Sequence, residues 1–301
     1  SFKVNYRKIW PLGKDAFGKV YKAEEIKTGK IVAVKQISLN NSGLSHKLII
    51  KEINLLKNLN HPNIVQYHNY YEDDNHIYII MEYLEGDTLK QYIDLKLKNK
   101  EKITENEARI IITKLLNALS YLHYSCDICH RDVKPNNIVF KNKDDISSLK
   151  LIDFGLSSDS FEKKDYLENC GTLKYMAPEQ ISNITYSKGV DIWSVGIILY
   201  MLLNGGNNPF YKKGDSRETI TKKIIKDNIF FDEKYPISEM GKHLIKKLLK
   251  KNQTYRYMAR QALLHPWITL NKYDKIPLTV HETLLVEEYY LKFKILFLNA
   301  I

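Results

Sequence analysis

One string constrains this chain more than any other: His130-Arg131-Asp132-Val133-Lys134-Pro135-Asn136-Asn137. It sets a carboxylate, a lysine two residues on and an amide five residues on from that carboxylate within one short segment. On a single loop these groups can orient a hydroxyl, neutralise a γ-phosphoryl group and ligate Mg2+. Leu151-Ile152-Asp153-Phe154-Gly155 comes next, after an apolar strand. Asp153 offers a second hard oxygen ligand for Mg2+, and Gly155 lets the chain turn.

Upstream, Gly13-Lys14-Asp15-Ala16-Phe17-Gly18-Lys19-Val20 sits between two expected strands. Gly13 and Gly18 would let backbone N–H groups approach phosphates closely. Val32-Ala33-Val34-Lys35 follows on the next strands. Taken alone, Lys35 reads as a solvated surface lysine. The spacing gives it weight, because a lysine under a glycine loop can hold α- and β-phosphates. Glu52 lies on the helix that follows, beside Ile49, Ile53 and Leu56, and a Lys35–Glu52 ion pair would fix the ammonium there. Downstream come Gly171-Thr172, Ala177-Pro178-Glu179 and Asp191-Ile192-Trp193-Ser194-Val195-Gly196.

Periodicity divides the chain. Residues 7–37 read as three short strands, 45–59 as a helix, and 64–82 as strands again. After Gly86 the pattern is mostly helical. Glu105 to Leu122 carries an apolar stripe with Thr104 as N-cap, and Asp191 to Leu203 is apolar all round, the pattern of a buried helix. His243 to Leu249 and Arg260 to Leu264 also read as helical. The expected fold class is α+β in two lobes, with residues 1–84 as a β-rich lobe carrying one main helix and 85–270 as a mostly helical lobe. Residues 271–301 stand apart as a helical tail, regulatory or a junction to further sequence.

The 301 residues suit two lobes sharing an interface, and the 44% hydrophobic share is ordinary for a globular protein. No apolar run is long enough for a membrane span, and the first residues lack the apolar stretch of a signal peptide. The net charge of +11 is spread over scattered lysines, without a run of five or six basic residues. Nucleic-acid binding is therefore not expected. Three cysteines, Cys126, Cys129 and Cys170, argue against a disulfide framework and for a reducing, cytoplasmic compartment. Cys126-Asp127-Ile128-Cys129-His130 also fits a haem-attachment pattern, a competing reading that His130 answers better as part of the loop above.

The ordered set of motifs resembles the eukaryotic protein kinase superfamily over about residues 6–268. The resemblance implies ATP between the lobes at a hinge, Glu82-Tyr83-Leu84, and protein substrates. It implies that Lys35, paired with Glu52, holds phosphates, that Asp132 orients or accepts the substrate proton, and that Lys134 contacts the γ-phosphate. Asn137 and Asp153 would hold Mg2+. Leu12, Gly13, Gly18, Val20, Ala33, Met81, Glu82, Leu84 and Val139 would line the nucleotide site, with Met81 as gatekeeper. His130, Asp191 and the pair Glu179–Arg256 would hold the scaffold, and Phe154 would be a packed core aromatic.

Lys134 and Gly171-Thr172-Leu173-Lys174-Tyr175 look like Ser/Thr kinases, with Thr172 in the catalytic set. Lys141 to Ser148, Ile220 to Asp232 and Leu264-His265-Pro266-Trp267 are similar to the calmodulin-dependent and calcium-dependent group. Gly171 to Met176 with Glu179-Gln180 also resembles kinases of a translation initiation factor. By the same resemblance Arg131 would need an anion. Glu168 would supply it permanently, with Ser157, Ser158, Ser160 and Tyr166 as alternative modification sites. Calmodulin, or an EF-hand domain outside these residues, would act on the tail, whose apolar face includes Leu284, Leu291 and Leu298.

Three departures stand out. Asp15 occupies the second glycine position of the nucleotide loop, bringing a carboxylate near phosphates and leaving a pseudokinase or nucleotide-binding scaffold as the alternative. Thr88, with Asp87 beside it, replaces a glutamate of arginine-directed relatives. Asn136 and Lys222 fall where such relatives carry acidic residues, so a preference for basic substrates does not carry over.

Overall fold

The computed structural model describes residues 1–14, 18–39, 46–155, 157–159, 173–182, 184 and 187–269. The chain begins with a short helix, α1 (Phe2–Asn5), and then β1 (Tyr6–Lys14), β2 (Gly18–Glu25) and β3 (Ile31–Ser38). Helix α2 (His46–Asn58) precedes β4 (Tyr67–Glu72) and β5 (His76–Glu82). The five strands form one antiparallel sheet in the order β1-β2-β3-β5-β4. These are the strands and the single main helix that periodicity predicts for the first lobe.

Strand alternation assigns the two faces of this sheet. Val32 and Val34 of β3 join Ala23, Tyr78 and Ile80 in one buried cluster. Phe2 closes that cluster, stacked on Tyr78 with ring centroids 4.2 Å apart and edge-on to Tyr71 at 6.5 Å. The other face carries Ala33 and Lys35, and Ile49, Glu52, Ile53 and Leu56 form the buried side of α2.

Gly13 is expected in a turn but lies within β1, opposite Val20. Its register breaks between Pro11 and Gly13, which an edge strand tolerates because Pro11 owes no ladder hydrogen bond. Gly18 is demanded by space: a Cβ there would lie 2.3 Å from the Gln36 carbonyl oxygen of β3.

The second lobe contains α3 (Leu89–Lys98) and α4 (Glu105–Ser125). Strand β6 (Ile128–Cys129) pairs with β9 (Ser158–Asp159), and β7 (Ile138–Phe140) pairs with β8 (Leu149–Leu151). Helices α5 (Pro178–Ile181), α6 (Gly189–Leu203), α7 (Arg217–Lys226), α8 (Glu239–Leu248), α9 (Ala259–Leu263) and α10 (Pro266–Thr269) follow. Thr104 caps α4 as predicted: its hydroxyl accepts from Glu107 N–H at 3.2 Å, and its own N–H donates to the Glu107 carboxylate at 2.7 Å.

Every residue of α6 is buried, so a helix apolar on all sides becomes the axis of the lobe, packed between α4 and α8. Helix α8 starts at Glu239, earlier than the His243 expected from apolar spacing. Ser238 accepts from Gly241 N–H at 3.1 Å and sets the start. One apolar core runs from Ile37 and Ile53 in the first lobe through Leu115 and Ile198 in the second. Among the described residues no helix is long and apolar enough to cross a membrane.

Candidate active site

Lys35 is not a surface lysine. It is buried, and its ammonium lies 3.2 Å from the Glu52 carboxylate of α2 and 3.2 Å from Asp153 after β8. Two carboxylates around one ammonium make its burial tolerable. Burial pulls the Asp153 carboxyl up, but the charge and hydrogen bond of Lys35, with the Gly155 N–H at 3.3 Å, hold it below the ordinary carboxylate range. Asp153 adopts φ +63°, a left-handed conformation that an Asp side chain can support locally. The adjacent Phe154 is fully buried, edge-on to His130 with ring centroids 5.0 Å apart, which anchors the turn.

The second group of charges lies on the segment between β6 and β7. Asp132 Oδ2 accepts from Lys134 Nζ at 2.6 Å and from Asn137 Nδ2 at 2.8 Å. Asp132 Oδ1 is buried and has no hydrogen-bond partner among the described residues. Burial pushes this carboxyl above its ordinary range, against the pull of Lys134. Asn137 Nδ2 also donates to the Asp132 backbone carbonyl at 2.9 Å, tying both ends of the loop together.

Asp191, at the start of α6, holds this loop from below. Its carboxylate accepts from the backbone N–H groups of His130 and Arg131 and bonds His123 Nε2, each at 2.8 Å. Those partners, with a helix N-terminus behind them, keep the carboxylate ionised despite complete burial. His123 is a member of this scaffold that sequence reasoning missed. Its only signal is a polar residue on the buried stripe of α4. Arg131 takes φ +68° there. Glu179 and Arg256 pair at 2.9 Å in the core, with Arg256 also donating to the Gly189 carbonyl at 3.0 Å.

The competing haem reading loses its chemistry. Cys129 is buried in β6 with its thiol against Asp191, and burial pushes that thiol well above its ordinary value.

Val20, Ala33, Lys35 and Met81 share one face of the sheet, since Val20 opposes Lys35 and Ala33 opposes Met81. Leu12 is exposed on β1, Leu84 is half-buried, and Val139 comes from β7, bridged to Thr88. Glu82 turns its carboxylate to Lys150 Nζ at 2.7 Å and the Gln66 N–H at 2.8 Å. Thr88 caps α3, accepting from Gln91 N–H at 3.1 Å. Asp87, Asn136 and Lys222 are exposed.

Ser157 donates to the His130 carbonyl at 3.3 Å, and Ser158 of β9 stands opposite Cys129 of β6 in the ladder. Asp15, Ser160, Tyr166, Glu168, Thr172 and the tail from 271 lie outside the described residues.

Residues 6–268 match the family described as the protein kinase domain. A probable myosin light chain kinase of Dictyostelium discoideum is 39% identical over 267 residues, covering 86% of this chain and 82% of the relative. Calcium/calmodulin-dependent protein kinase type 1 of Macrobrachium nipponense is 37% identical over 264 residues, covering 86% and 74%. Myosin light chain kinase A of Dictyostelium discoideum is 36% identical over 263 residues, covering 86% of each. The chain thus belongs to the protein kinase domain family, as a serine/threonine kinase most similar to the calmodulin-dependent group.

Proposed function

We propose that this kinase transfers the γ-phosphoryl group of Mg-ATP to a Ser or Thr hydroxyl of a protein substrate. The observation that carries the reading is the Asp132 carboxylate, with Oδ2 pinned by Lys134 and Asn137 and Oδ1 buried with no protein partner among the described residues. Asp132 Oδ1 orients the substrate hydroxyl and takes its proton as the oxygen attacks phosphorus and the bond to ADP breaks. Lys134 neutralises the transferring group, and Lys35, steadied by Glu52, holds the α- and β-phosphates. Val20, Ala33, Met81 and Val139 enclose the adenine, with Leu12, Gly13, Gly18, Glu82 and Leu84 around them.

The donor set fits Mg2+. Asn137 commits its amide nitrogen to Asp132, so its carbonyl oxygen is the free donor, and Asp153 is held ionised. Both are hard oxygens. Held by Asp153 and the Asn137 carbonyl oxygen, Mg2+ would offset the negative charge of the phosphates. Lys35, Glu52, Asp132, Asn137 and Asp153 together favour catalysis over the nucleotide-binding scaffold that Asp15 alone suggests.

Control by calmodulin, acting on residues 271–301 as a junction beyond lobes 1–84 and 85–270, is supported by the calmodulin-dependent relative. The test is transfer of γ-labelled phosphate to a protein substrate. Asp132→Asn should abolish transfer and leave ATP binding measurable; transfer near the parent rate would overturn the assignment. Added Ca2+-calmodulin should raise the activity of the full chain and leave a chain ending at residue 270 unaffected. Equal activity with and without it removes calmodulin from the reading.

A further inference from the structure

Among the described residues, Lys174 is a half-buried cation with no carboxylate partner, set near Lys90 of α3. Lys174 projects its ammonium over two aromatic rings, 5.5 Å from the Tyr175 centroid and 5.0 Å from the Tyr211 centroid. Such contacts steady a lysine stem without neutralising its charge. The main chain is pinned as well. The Lys174 carbonyl accepts from Asn208 Nδ2 at 3.0 Å, and the Tyr175 carbonyl accepts from Ser194 Oγ of α6 at 2.9 Å. Lys174 is therefore pre-positioned.

Among the described residues no carboxylate forms an ion pair with Lys174, and Lys90 of α3 is a like-charged neighbour. Asp94, the carboxylate on the same helix, is taken by Lys90 at 2.5 Å. Burial first, and Lys90 second, push the Lys174 ammonium below the ordinary lysine range. Both effects would be relieved by an anion arriving from outside. Helix α3, whose Lys90 neighbours Lys174, packs against the turn Pro135–Asn137 in the loop that carries Asp132. Asn136, exposed on that turn, brings no charge of its own.

We propose that Lys174 is a specificity residue that selects protein substrates bearing an acidic side chain, carboxylate or phosphate, close to the accepting hydroxyl. The proposal rests on the phosphoryl-transfer reading above, and Lys174 takes no part in the chemistry itself. A fixed ammonium facing a matching anion discriminates by about tenfold in kcat/KM, a factor that salt erodes.

The experiment compares serine peptides identical except for glutamate, phosphoserine, alanine or lysine at positions flanking the acceptor. The parent enzyme should favour the acidic peptides over the alanine peptide by about tenfold, less at high salt. Lys174→Met, which keeps the stem on the two rings, should erase that ratio, Lys174→Arg should retain it, and Lys174→Glu should invert it toward lysine. The glutamate and phosphoserine arms tell which anion is read. A parent preference for lysine, or an acidic preference surviving in Lys174→Met, overturns the proposal. Binding of unreactive peptides with alanine at the acceptor position gives a second readout. If no peptide is phosphorylated yet the acidic one binds more tightly to the parent than to Lys174→Met, the transfer reading fails and the specificity assignment stands; equal binding defeats both.

Discussion

Lys35 serves two carboxylates at once, one buried and one half-buried, and this changes what its removal means. Lys35→Met takes a cation from both Glu52 and Asp153, each 3.2 Å away. A buried ion pair broken on one side costs about 3 kcal/mol or more, so this variant should lose stability as well as transfer. Asp153→Asn is the cleaner probe. The amide oxygen keeps a bond to Lys35, while a charged ligand for Mg2+ is lost. Its phosphoryl transfer should fall by about 100-fold or more, with an unfolding temperature within a few degrees of the parent. Steady-state transfer and a thermal melt on the same preparation check both statements, and near-parental turnover in Asp153→Asn would remove it from the site.

At the scale of elements, two imidazoles tie the end of the chain's second lobe to α8. His265, between α9 and α10, accepts from Trp267 N–H at Nδ1, 3.1 Å, so its proton sits on Nε2 facing His243 Nδ1 at 2.8 Å. Burial, with the charges of His243 and Lys247, holds its pKa down at about 3. The folded protein keeps this ring neutral, whereas the unfolded chain binds a proton near pH 6.5. Its contribution is therefore fully present above about pH 6.5 and is lost as the pH falls from there toward the folded value. Between about pH 6.5 and 5 the loss should approach ~2 kcal/mol. His265→Asn, whose side-chain oxygen can accept the Trp267 N–H, should flatten this slope in urea unfolding at the two pH values, and an unchanged slope would exclude His265 as its source.

The N-terminal helix makes a second element-scale prediction. Phe2, 5% exposed and stacked on Tyr78, closes the outer face of the sheet. Phe2→Ala should lower stability by about 3 kcal/mol, with hydrogen exchange rising first in β1 and β5. Unaltered exchange there would show that the aromatic cluster holds without it.

For the whole molecule, the joint between the lobes rests on a buried ion pair. Lys150 of β8 reaches Glu82 at 2.7 Å and the Ile64 carbonyl at 3.1 Å. Asn63 adds bonds to both ends of β8, to the Leu149 carbonyl at 2.9 Å and from Leu151 N–H at 2.8 Å. The segment before β4 is thereby fastened to the second lobe while β4 and β5 belong to the first. Lys150→Met should lower global stability by about 2 kcal/mol, because Glu82 is left with only the exposed Lys141 ammonium at 3.7 Å. Adding Glu82→Gln should restore part of that loss. A coupling energy below about 0.5 kcal/mol in the double-mutant cycle would mean that the pair does not join the lobes.

Much of this protein is legible from residues alone. Alternation and helical spacing locate the five strands of the first lobe, α2, α4 and α6, because those patterns reflect which face must leave water. The charged groups of the candidate site also declare themselves, since Asp132, Lys134 and Asn137 are neighbours on one loop. What tertiary structure alone decides is long-range. Lys35 meets Asp153 across 118 positions of chain, and His123 joins Asp191 across 68. Glu82 spends its side chain on Lys150 rather than facing the strand sheet, and Gly13 belongs to a strand because Val20 pairs with it. Spacing along a chain encodes local faces; the partner of a buried charge is set by which elements pack together, and only the folded chain supplies that.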